Sequence, residues 1–224
     1  KYIERSFGGR GILLGGVPGV ERGTIVILGG GTAGTYAAKA AIGMGAQVTV
    51  IDINLQRLQY LDDIFGTGIT TLYASEKNIS RALAKADLVI GTVLVPGGST
   101  PKLIRREHLK LMKHGAVIVD VAIDQGGCCE SSHVTFHDDP VFIEDGVVHY
   151  CVGNMPGAVP RTSTIALTNA TLKYGLQIAG EGLETACKKN EAIALGVNCY
   201  DGKCTNKNVA AALDFEYVDL KSMI

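Results

Sequence analysis

The sequence lacks the features of membrane, secreted and nucleic-acid-binding proteins. No apolar run reaches the roughly 18 residues that a membrane-spanning helix needs. The opening stretch KYIERSFGGR holds no apolar core of the kind found in a secretory signal. Charge of one sign is not in excess, since 21 basic and 22 acidic residues leave a net charge of -1. This balance gives no reason to expect nucleic acid or an anionic membrane as a partner.

Cysteine is present, but not in the patterns that bind metals or build disulfide frameworks. Six cysteines in 224 residues do not make a small disulfide scaffold, so reduced thiols in a cytoplasmic protein are the simpler expectation. No C-x-x-C pair occurs, Cys128 and Cys129 are adjacent, and the five histidines are scattered. We therefore predict no metal site and regard the cysteines as small packing residues.

The composition that remains is that of a globular chain. The sequence is 46% hydrophobic, enough to bury a sizeable core, and its length suits one large domain or one domain plus a piece of another. The first residue is Lys1 rather than Met. We interpret the chain as processed, cut or expressed as a piece, and expect part of an active site to lie upstream.

Residues 24–52 have the pattern of one strand–helix–strand unit. An apolar run is followed by a glycine turn, an Ala-rich helical stretch to about Met44 and the alternating QVTVID. Similar alternation continues to about residue 155 and predicts a doubly wound parallel α/β (Rossmann) domain. The Gly-rich residues 8–20 before it are typical of a linker or loop.

Several element boundaries are predicted within this domain and after it. Residues 105–115 are expected to be a helix, 116–122 a strand, and the segments flanking Asp145-Gly146 two further strands. Beyond residue 161 the pattern is mostly helical, with Thr162 or Ser163 as a possible N-cap. We divide the chain into a nucleotide-binding domain with an N-terminal linker, 1–160, and a C-terminal helical segment, 161–224. That segment is too small to hold its own core, so we expect it to pack on something else.

The glycine turn matches G-x-G-x-x-G through Gly29, Gly31 and Gly34, and Asp52 ends the next strand. In a strand–turn–helix context this pattern indicates dinucleotide binding. Gly29 would make the tight turn, Gly31 would admit the pyrophosphate and Gly34 would allow close packing of helix on strand. A carboxylate at Asp52 would accept the ribose hydroxyls and repel a 2′-phosphate, which favours NAD over NADP. Arg57, one helical turn further on, either reaches the adenosine or lies on a solvated helix face.

Other candidates lie at the carboxyl ends of predicted strands, where such sheets bind ligands. Val93 and Leu94 precede the turn Pro96-Gly97-Gly98 and either line the adenine–ribose side or are simply buried strand residues. Asp124 is expected at the end of the strand 116–122, facing the nicotinamide. Asp120 lies inside the apolar run and is expected to cap or brace a neighbouring segment. Asn154 offers a donor and an acceptor for a carboxamide or small substrate. The alternative is that its loop is a rigid interdomain crossover, and both interpretations can hold together.

Together the strings GGGTAG, VTVIDIN, ADLVIGTVLVPG, VDVAIDQGGC and NMPGAVPRTSTIALTNAT resemble the alanine dehydrogenase family. The resemblance implies reversible NAD-dependent oxidative deamination of L-alanine to pyruvate and ammonia, with Asp124 in the catalytic centre. It also implies a set of NAD contacts: Thr32, Ala33, Asp52, Arg57, Val93, Leu94, Val121, Ile123, Asp124, Val152, Asn154 and Met155.

The family's other properties are expectations of the same kind. Its substrate domain, which carries an arginine, a lysine and a histidine for catalysis, would precede this chain, and the C-terminal helices would pack on it. Members are usually hexamers. Some have a magnesium ligand where this chain has Glu181, which argues against that metal here. Two alternatives remain: the NAD-binding subunit of a transhydrogenase, and a non-catalytic NAD-binding module.

Overall fold

A computed structural model describes residues 1–95 and 98–224. Two positions of the predicted turn at 96–98, Pro96 and Gly97, therefore lie outside the described residues. The chain forms two compact units. The first comprises Lys1–Leu94 and Thr100–Asn154, and the second comprises Met155–Ile224 with the described residues of Val95–Ser99.

The first unit is an α/β domain in which strands and helices alternate, as predicted. Its strands are β1 (Thr24–Leu28), β2 (Gln47–Asp52), β3 (Ile69–Tyr73), β4 (Leu88–Gly91), β5 (Val117–Asp120), β6 (Val141–Glu144) and β7 (Val147–Tyr150). Its helices are α1 (Thr32–Gly43), α2 (Leu55–Phe65), α3 (Glu76–Leu83) and α4 (Arg106–Leu109). Short 3-10 turns lie at Arg5–Phe7, Gly66–Gly68 and Ile123–Gln125.

In the described residues these strands form one sheet in the order β3-β2-β1-β4-β5-β7-β6. All neighbouring pairs are parallel except β6 and β7, which form an antiparallel hairpin. Asp145 and Gly146 join them with positive φ angles of 50° and 76°, as a tight hairpin turn requires. The strand order reverses between β1 and β4. In doubly wound folds the ligand crevice lies at that reversal, outside the carboxyl ends of the strands.

The sheet is buried on both faces because its strands contribute side chains to each in turn. In β1, Val26 and Leu28 pack on the side of α3 and α4, whereas Ile25 and Ile27 pack on the side of α1 and α2. The Gly-rich N-terminal stretch is a loop rather than a free linker, since its Leu14 is buried in the second of these layers.

Two predicted boundaries in this unit are wrong. The helix expected over 105–115 is regular only over Arg106–Leu109, and i→i+3 turns at Leu111 and Met112 follow it. These turns let Leu109 and Met112 both reach the core. The strand expected over 116–122 ends at Asp120, because Val121 and Ala122 turn away into the 3-10 segment.

The second unit contains helices α5 (Pro160–Glu181), α6 (Leu183–Lys189), α7 (Glu191–Gly196) and α8 (Lys207–Leu213) and a small hairpin of β8 (Cys199–Tyr200) and β9 (Lys203–Cys204). The predicted N-cap of α5 is wrong. The N-cap is Val159, three or four residues earlier, and the helix starts at Pro160, whose fixed φ suits a first helical position. A small core joins Ala186, Cys187, Ile193 and Leu220, so the expectation that this segment cannot hold a core of its own is wrong. Among the described residues, no helix is both long and apolar enough to cross a bilayer.

Candidate nucleotide-binding site

The glycine turn, residues 29–34, joins β1 to α1 in the way its spacing predicts. Gly29 has φ of +99°, a left-handed conformation that a side chain would strain. A Cβ at Gly34 would overlap the carbonyl oxygen of Gly29, so only glycine lets α1 pack this close to β1. A Cβ at Gly31 would meet nothing within 4 Å. The first glycine therefore serves the turn, the third serves the packing, and the second leaves space above the backbone.

That space lies in front of the N-terminus of α1. Gly31 is the N-cap of the helix, and Gly31, Thr32 and Ala33 are exposed while Gly34 is buried. The first N–H groups of a helix have no partner within it and carry a partial positive charge. The surface at Thr32 and Ala33 is therefore suited to an anionic group such as a phosphate.

Asp52 ends β2 beside this turn. Its Oδ2 accepts a hydrogen bond from the backbone N–H of Gly30 at 2.6 Å, and its Oδ1 accepts one from the N–H of Asn54 at 2.8 Å. Each carboxylate oxygen can accept more than one hydrogen bond, and Asp52 is only half-buried. The carboxylate is thus held in place while still able to accept a hydroxyl donor.

Arg57 lies against the glycine turn, not on a solvated helix face. Its Nε donates to the carbonyl oxygen of Gly30 at 2.5 Å, and its guanidinium also donates to the Thr35 hydroxyl. The guanidinium carbon lies 4.6 Å from the centre of the Tyr60 ring, a cation–π distance. Arg57 is half-buried and ties α2 to the turn.

The end of β4 adds a residue that the sequence interpretation missed. The Thr92 hydroxyl donates to the carbonyl oxygens of Leu28 and Gly29, at 3.0 and 2.8 Å, and so fastens the turn to the neighbouring strand. Val93 is half-buried against the core, and Leu94 is 65% exposed. A threonine one residue past an apolar strand has no distinctive sequence pattern.

The two predicted aspartates lie at the end of β5, which is Asp120, and in the loop after it, residues 121–132, which contains Asp124. Asp120, fully buried, accepts hydrogen bonds from the N–H groups of Cys128 and Cys129 and from the Ser132 hydroxyl, at 2.9, 3.2 and 2.7 Å. The prediction that Asp120 braces a neighbouring segment is confirmed. Asp124 lies in the 3-10 turn Ile123–Gln125, four residues past the end of β5, and it is exposed.

Asp124 and Asn154 are brought together by the fold. The backbone N–H of Asn154 donates to Oδ1 of Asp124 at 3.3 Å. Asn154 has φ of 53°, uncommon for a residue other than glycine, and its carbonyl oxygen lies 3.1 Å from Nε2 of His137. Such strained positions persist where the surrounding structure holds them, often at functional sites.

The remaining candidates differ in exposure. Val121 is 37% exposed, whereas Ile123 and Val152 are buried, so their side chains pack inside the unit. Met155 begins the 3-10 segment Met155–Ala158 of the second unit. Glu181, the last residue of α5, accepts a hydrogen bond from Gln177 at 2.6 Å and pairs with Lys189, which lowers the pKa of Glu181.

The prediction that the cysteines are packing residues is confirmed for five of them and wrong for Cys199. Five of the six are buried and Cys199 is exposed, and all six are free thiols. Burial raises the pKa of the Cys128 and Cys129 thiols and brings that of Cys151 to about 12. These thiols are therefore protonated and poor nucleophiles at neutral pH. Across residues 1–95 and 98–224, no group of three His, Cys, Asp or Glu side chains is placed to hold a metal ion.

The glycine turn, Asp52 and the loop after β5 lie at the carboxyl ends of β1, β2 and β5, on either side of the reversal of strand order between β1 and β4. Doubly wound domains of the Rossmann class bind their ligands at this position. Residues 1–207 match the family model described as alanine dehydrogenase/PNT, C-terminal domain. The chain belongs to that family.

Individual relatives agree with this assignment. Alanine dehydrogenase 2 of Staphylococcus aureus (strain USA300) is 52% identical over 225 residues, which cover all of this chain and 60% of the relative. A solved L-alanine dehydrogenase is 50% identical with a TM-score of 0.86, over 95% of this chain and 59% of that one. A transhydrogenase from Sinorhizobium meliloti is 30% identical with a TM-score of 0.56, over 62% and 40% of the two chains. This chain therefore spans about three fifths of the length of the alanine dehydrogenases it matches.

Proposed function

We propose that this chain is the NAD-binding portion of an L-alanine dehydrogenase, which catalyses the reversible oxidative deamination of L-alanine to pyruvate and ammonia. The observation that carries the proposal is the glycine turn. It leaves open space above Gly31 in front of an exposed helix N-terminus, with a carboxylate held beside it at Asp52. Family membership and 52% identity to an alanine dehydrogenase support the same function.

The residues around the turn fit a dinucleotide. The backbone of Gly31, Thr32 and Ala33 would hold the pyrophosphate, because the helix N-terminus stabilises negative charge and no side chain blocks the approach. Asp52 would accept the adenosine ribose hydroxyls, and its charge would disfavour a 2′-phosphate. NAD, when bound, supplies the acceptor for the hydride that leaves the alanine Cα.

Asp124 and Asn154 are the groups proposed for the reacting end. The exposed Asp124 carboxylate would orient the substrate amine or the water that hydrolyses the imine, and Asn154 would hold the carboxamide or the substrate. The hydrogen bond from the Asn154 N–H to Asp124 supports a shared role, since it fixes one group against the other.

The whole enzyme would need more than this chain. We propose that the C-terminal helical segment, 161–224, packs on a substrate domain outside the chain. Within the described residues 160–181, α5 has no buried residue, and it exposes Ile165, Leu167, Leu172 and Leu176 by 54–66%. Apolar helical surface of this extent is normally covered in a complete protein. We also propose that the protein is a homo-oligomer in the cytoplasm, and a hexamer by family resemblance.

The test has two stages. Calorimetry on this chain should detect NAD binding. The chain alone should not oxidise L-alanine in the NADH absorbance assay. The intact gene product that contains these residues should reduce NAD with L-alanine at alkaline pH, followed by NADH absorbance. NAD binding by the intact product without alanine oxidation would sink the proposal and favour a transhydrogenase subunit or a non-catalytic module.

Asp124→Asn in the intact gene product tests the reacting end. We expect turnover to fall by about 100-fold or more, the scale of a lost acid–base or orienting group, and NAD affinity to fall less, by about tenfold at most. Asp138→Asn, an exposed aspartate of the same unit, serves as the matched control. Equal turnover of the Asp124 variant and the wild type would remove Asp124 from the catalytic centre.

A further inference from the structure

The backbone that follows Asp124 is unusually well held along its carbonyl side. The carbonyl oxygen of Gln125 accepts from the N–H of Thr100, and that of Cys128 accepts from the N–H groups of Leu103 and Ile104, at 2.9–3.0 Å. The carbonyls of Gly126, Gly127 and Cys129 all accept from one group, Nζ of Lys102, at 2.5, 3.0 and 3.1 Å. Every carbonyl from 125 to 129 is thus bonded to the segment 100–104.

The backbone N–H groups of the same stretch are bonded to a negatively charged group, the Asp120 carboxylate. This carboxylate is fully buried and accepts hydrogen bonds from the N–H groups of Cys128 and Cys129 and from the Ser132 hydroxyl. A buried carboxylate is stable only when such donors satisfy it. A Cβ at Gly127 would lie 2.6 Å from Oδ2 of Asp120, so the loop approaches the carboxylate as closely as glycine allows.

The charges of Lys102 and Asp120 match the backbone conformation of this loop. Gly126 and Gly127 have positive φ angles of 88° and 76°, and this turn of the backbone brings several carbonyl oxygens to one point. An ammonium group has three donors and no acceptor, which suits a convergence of carbonyls. Hydrogen bonds to charged groups are the stronger ones. Asp124 lies between Asp120, which ends β5, and the clamped residues, so both sides of its turn are tied down.

We propose that Lys102 and Asp120, the loop clamp, are positioning residues that hold Asp124 at the nicotinamide end of the site. This inference rests on the proposed function, because the site has a nicotinamide end only if it binds a dinucleotide. The clamp acts on the loop backbone and touches no ligand itself. Its loss should therefore affect recognition of the nicotinamide end and spare the adenosine end, which the glycine turn and Asp52 serve.

The deciding variant is Lys102→Met in this chain, because Lys102 is exposed and methionine keeps most of its length. Calorimetry compares NAD with ADP-ribose, which lacks the nicotinamide ring. We expect NAD to bind about tenfold more weakly, the scale of one lost charged hydrogen-bonding group, with ADP-ribose affinity unchanged. Lys102→Arg should recover most of the NAD affinity. The control Lys110→Met removes an exposed lysine at the end of α4 and should behave as wild type.

An equal loss for both ligands, or no loss for NAD, would overturn the proposal. Amide hydrogen exchange reports on the clamp without any ligand: Lys102→Met should speed exchange at Gly126 and Gly127 but not in β1 or β2. Unchanged exchange there would also overturn it. A wild-type chain that binds neither ligand refutes the proposed function instead, even if the exchange result shows the clamp. Asp120→Asn should reproduce the selective loss for NAD if it folds.

Discussion

Two turns at the same edge of the sheet hold their backbones by opposite means. The glycine turn after β1 owes its shape to missing side chains: Gly34 admits close packing and Gly31 leaves open space. The loop after β5 owes its shape to side chains that are present, with Lys102 on its carbonyls and Asp120 on its amides. The first turn leaves its backbone exposed, whereas the backbone of the second is bonded within the protein and the Asp124 carboxylate is exposed.

The difference bears on what each turn tolerates. At the glycine turn, a substitution is harmful when it adds volume. The loss of stability then depends on whether the added methyl group meets backbone or open space. At the loop after β5, a substitution is harmful when it removes a charged side chain, because the backbone groups that Lys102 and Asp120 bond would be left unpaired. Substitutions can therefore separate fold from binding at the first turn, and can separate one end of the ligand from the other at the second.

The largest effect is expected from Gly34→Ala. Its methyl would overlap the Gly29 carbonyl and lie 2.9 Å from the Thr92 hydroxyl, so α1 must move off β1. We expect the free energy of unfolding to fall by about 3 kcal/mol, the upper range for overpacking. Urea unfolding followed by circular dichroism measures this. A midpoint equal to that of wild type would show that the helix–strand contact yields easily.

Asp52→Ala should have the next largest effect, on ligand binding. Removing the carboxylate takes away the proposed ribose acceptor and frees the Gly30 N–H that it holds. NAD affinity should fall by about 10- to 100-fold, as expected for hydrogen bonds to a charged group. Asp52→Asn keeps an acceptor for Gly30 and should lose less. Unchanged affinity by calorimetry in both variants would refute the ribose assignment.

Gly31→Ala sharpens the contrast within the glycine turn. Its φ of −63° is open to any residue, and its added methyl meets no neighbour, so unfolding should match wild type. NAD affinity should nevertheless drop by about tenfold, equivalent to about 1.4 kcal/mol, because the methyl occupies space proposed for the pyrophosphate. If Gly31→Ala destabilised the fold as much as Gly34→Ala, the separation of roles would be wrong.

The smallest effect is a pH dependence on the β5 side. His149 is fully buried, with Nε2 2.8 Å from the Ser131 hydroxyl and Nδ1 3.0 Å from the Val147 carbonyl. Burial lowers the pKa of His149 from 6.5. The unfolded chain therefore binds this proton at a higher pH than the folded one. Stability is fully present above pH 6.5 and declines as the pH falls toward the folded pKa.

The decline attributable to one proton cannot exceed about 1.4 kcal/mol per pH unit. Urea unfolding at pH 7.5, 6.5 and 5.5 measures the slope, and His149→Gln should flatten it whatever its own stability. His137→Gln, which removes an exposed histidine of the same unit, is the control. A slope that survives in His149→Gln would assign the pH dependence to other groups.

The part of this molecule that could be predicted from sequence is the part set by local pattern. β1 begins and ends where its apolar run does, and the glycine spacing predicts the turn because each glycine meets a steric condition of its own. The position of Asp124 on a 3-10 turn beyond β5 could not be predicted in the same way. It depends on Lys102 and Asp120, whose partners in this loop lie 8 to 27 residues away along the chain.

The attachment of Arg57 has a consequence for redesign of the cofactor preference. A 2′-phosphate needs a cation, and Arg57 is the nearby candidate, but its guanidinium is already committed to the Gly30 carbonyl and the Thr35 hydroxyl. Replacing Asp52 alone would remove the repulsion without supplying an attraction. A variant that prefers NADP would need a second substitution that brings a new cation, because recruiting Arg57 would undo the turn that is proposed to hold the pyrophosphate.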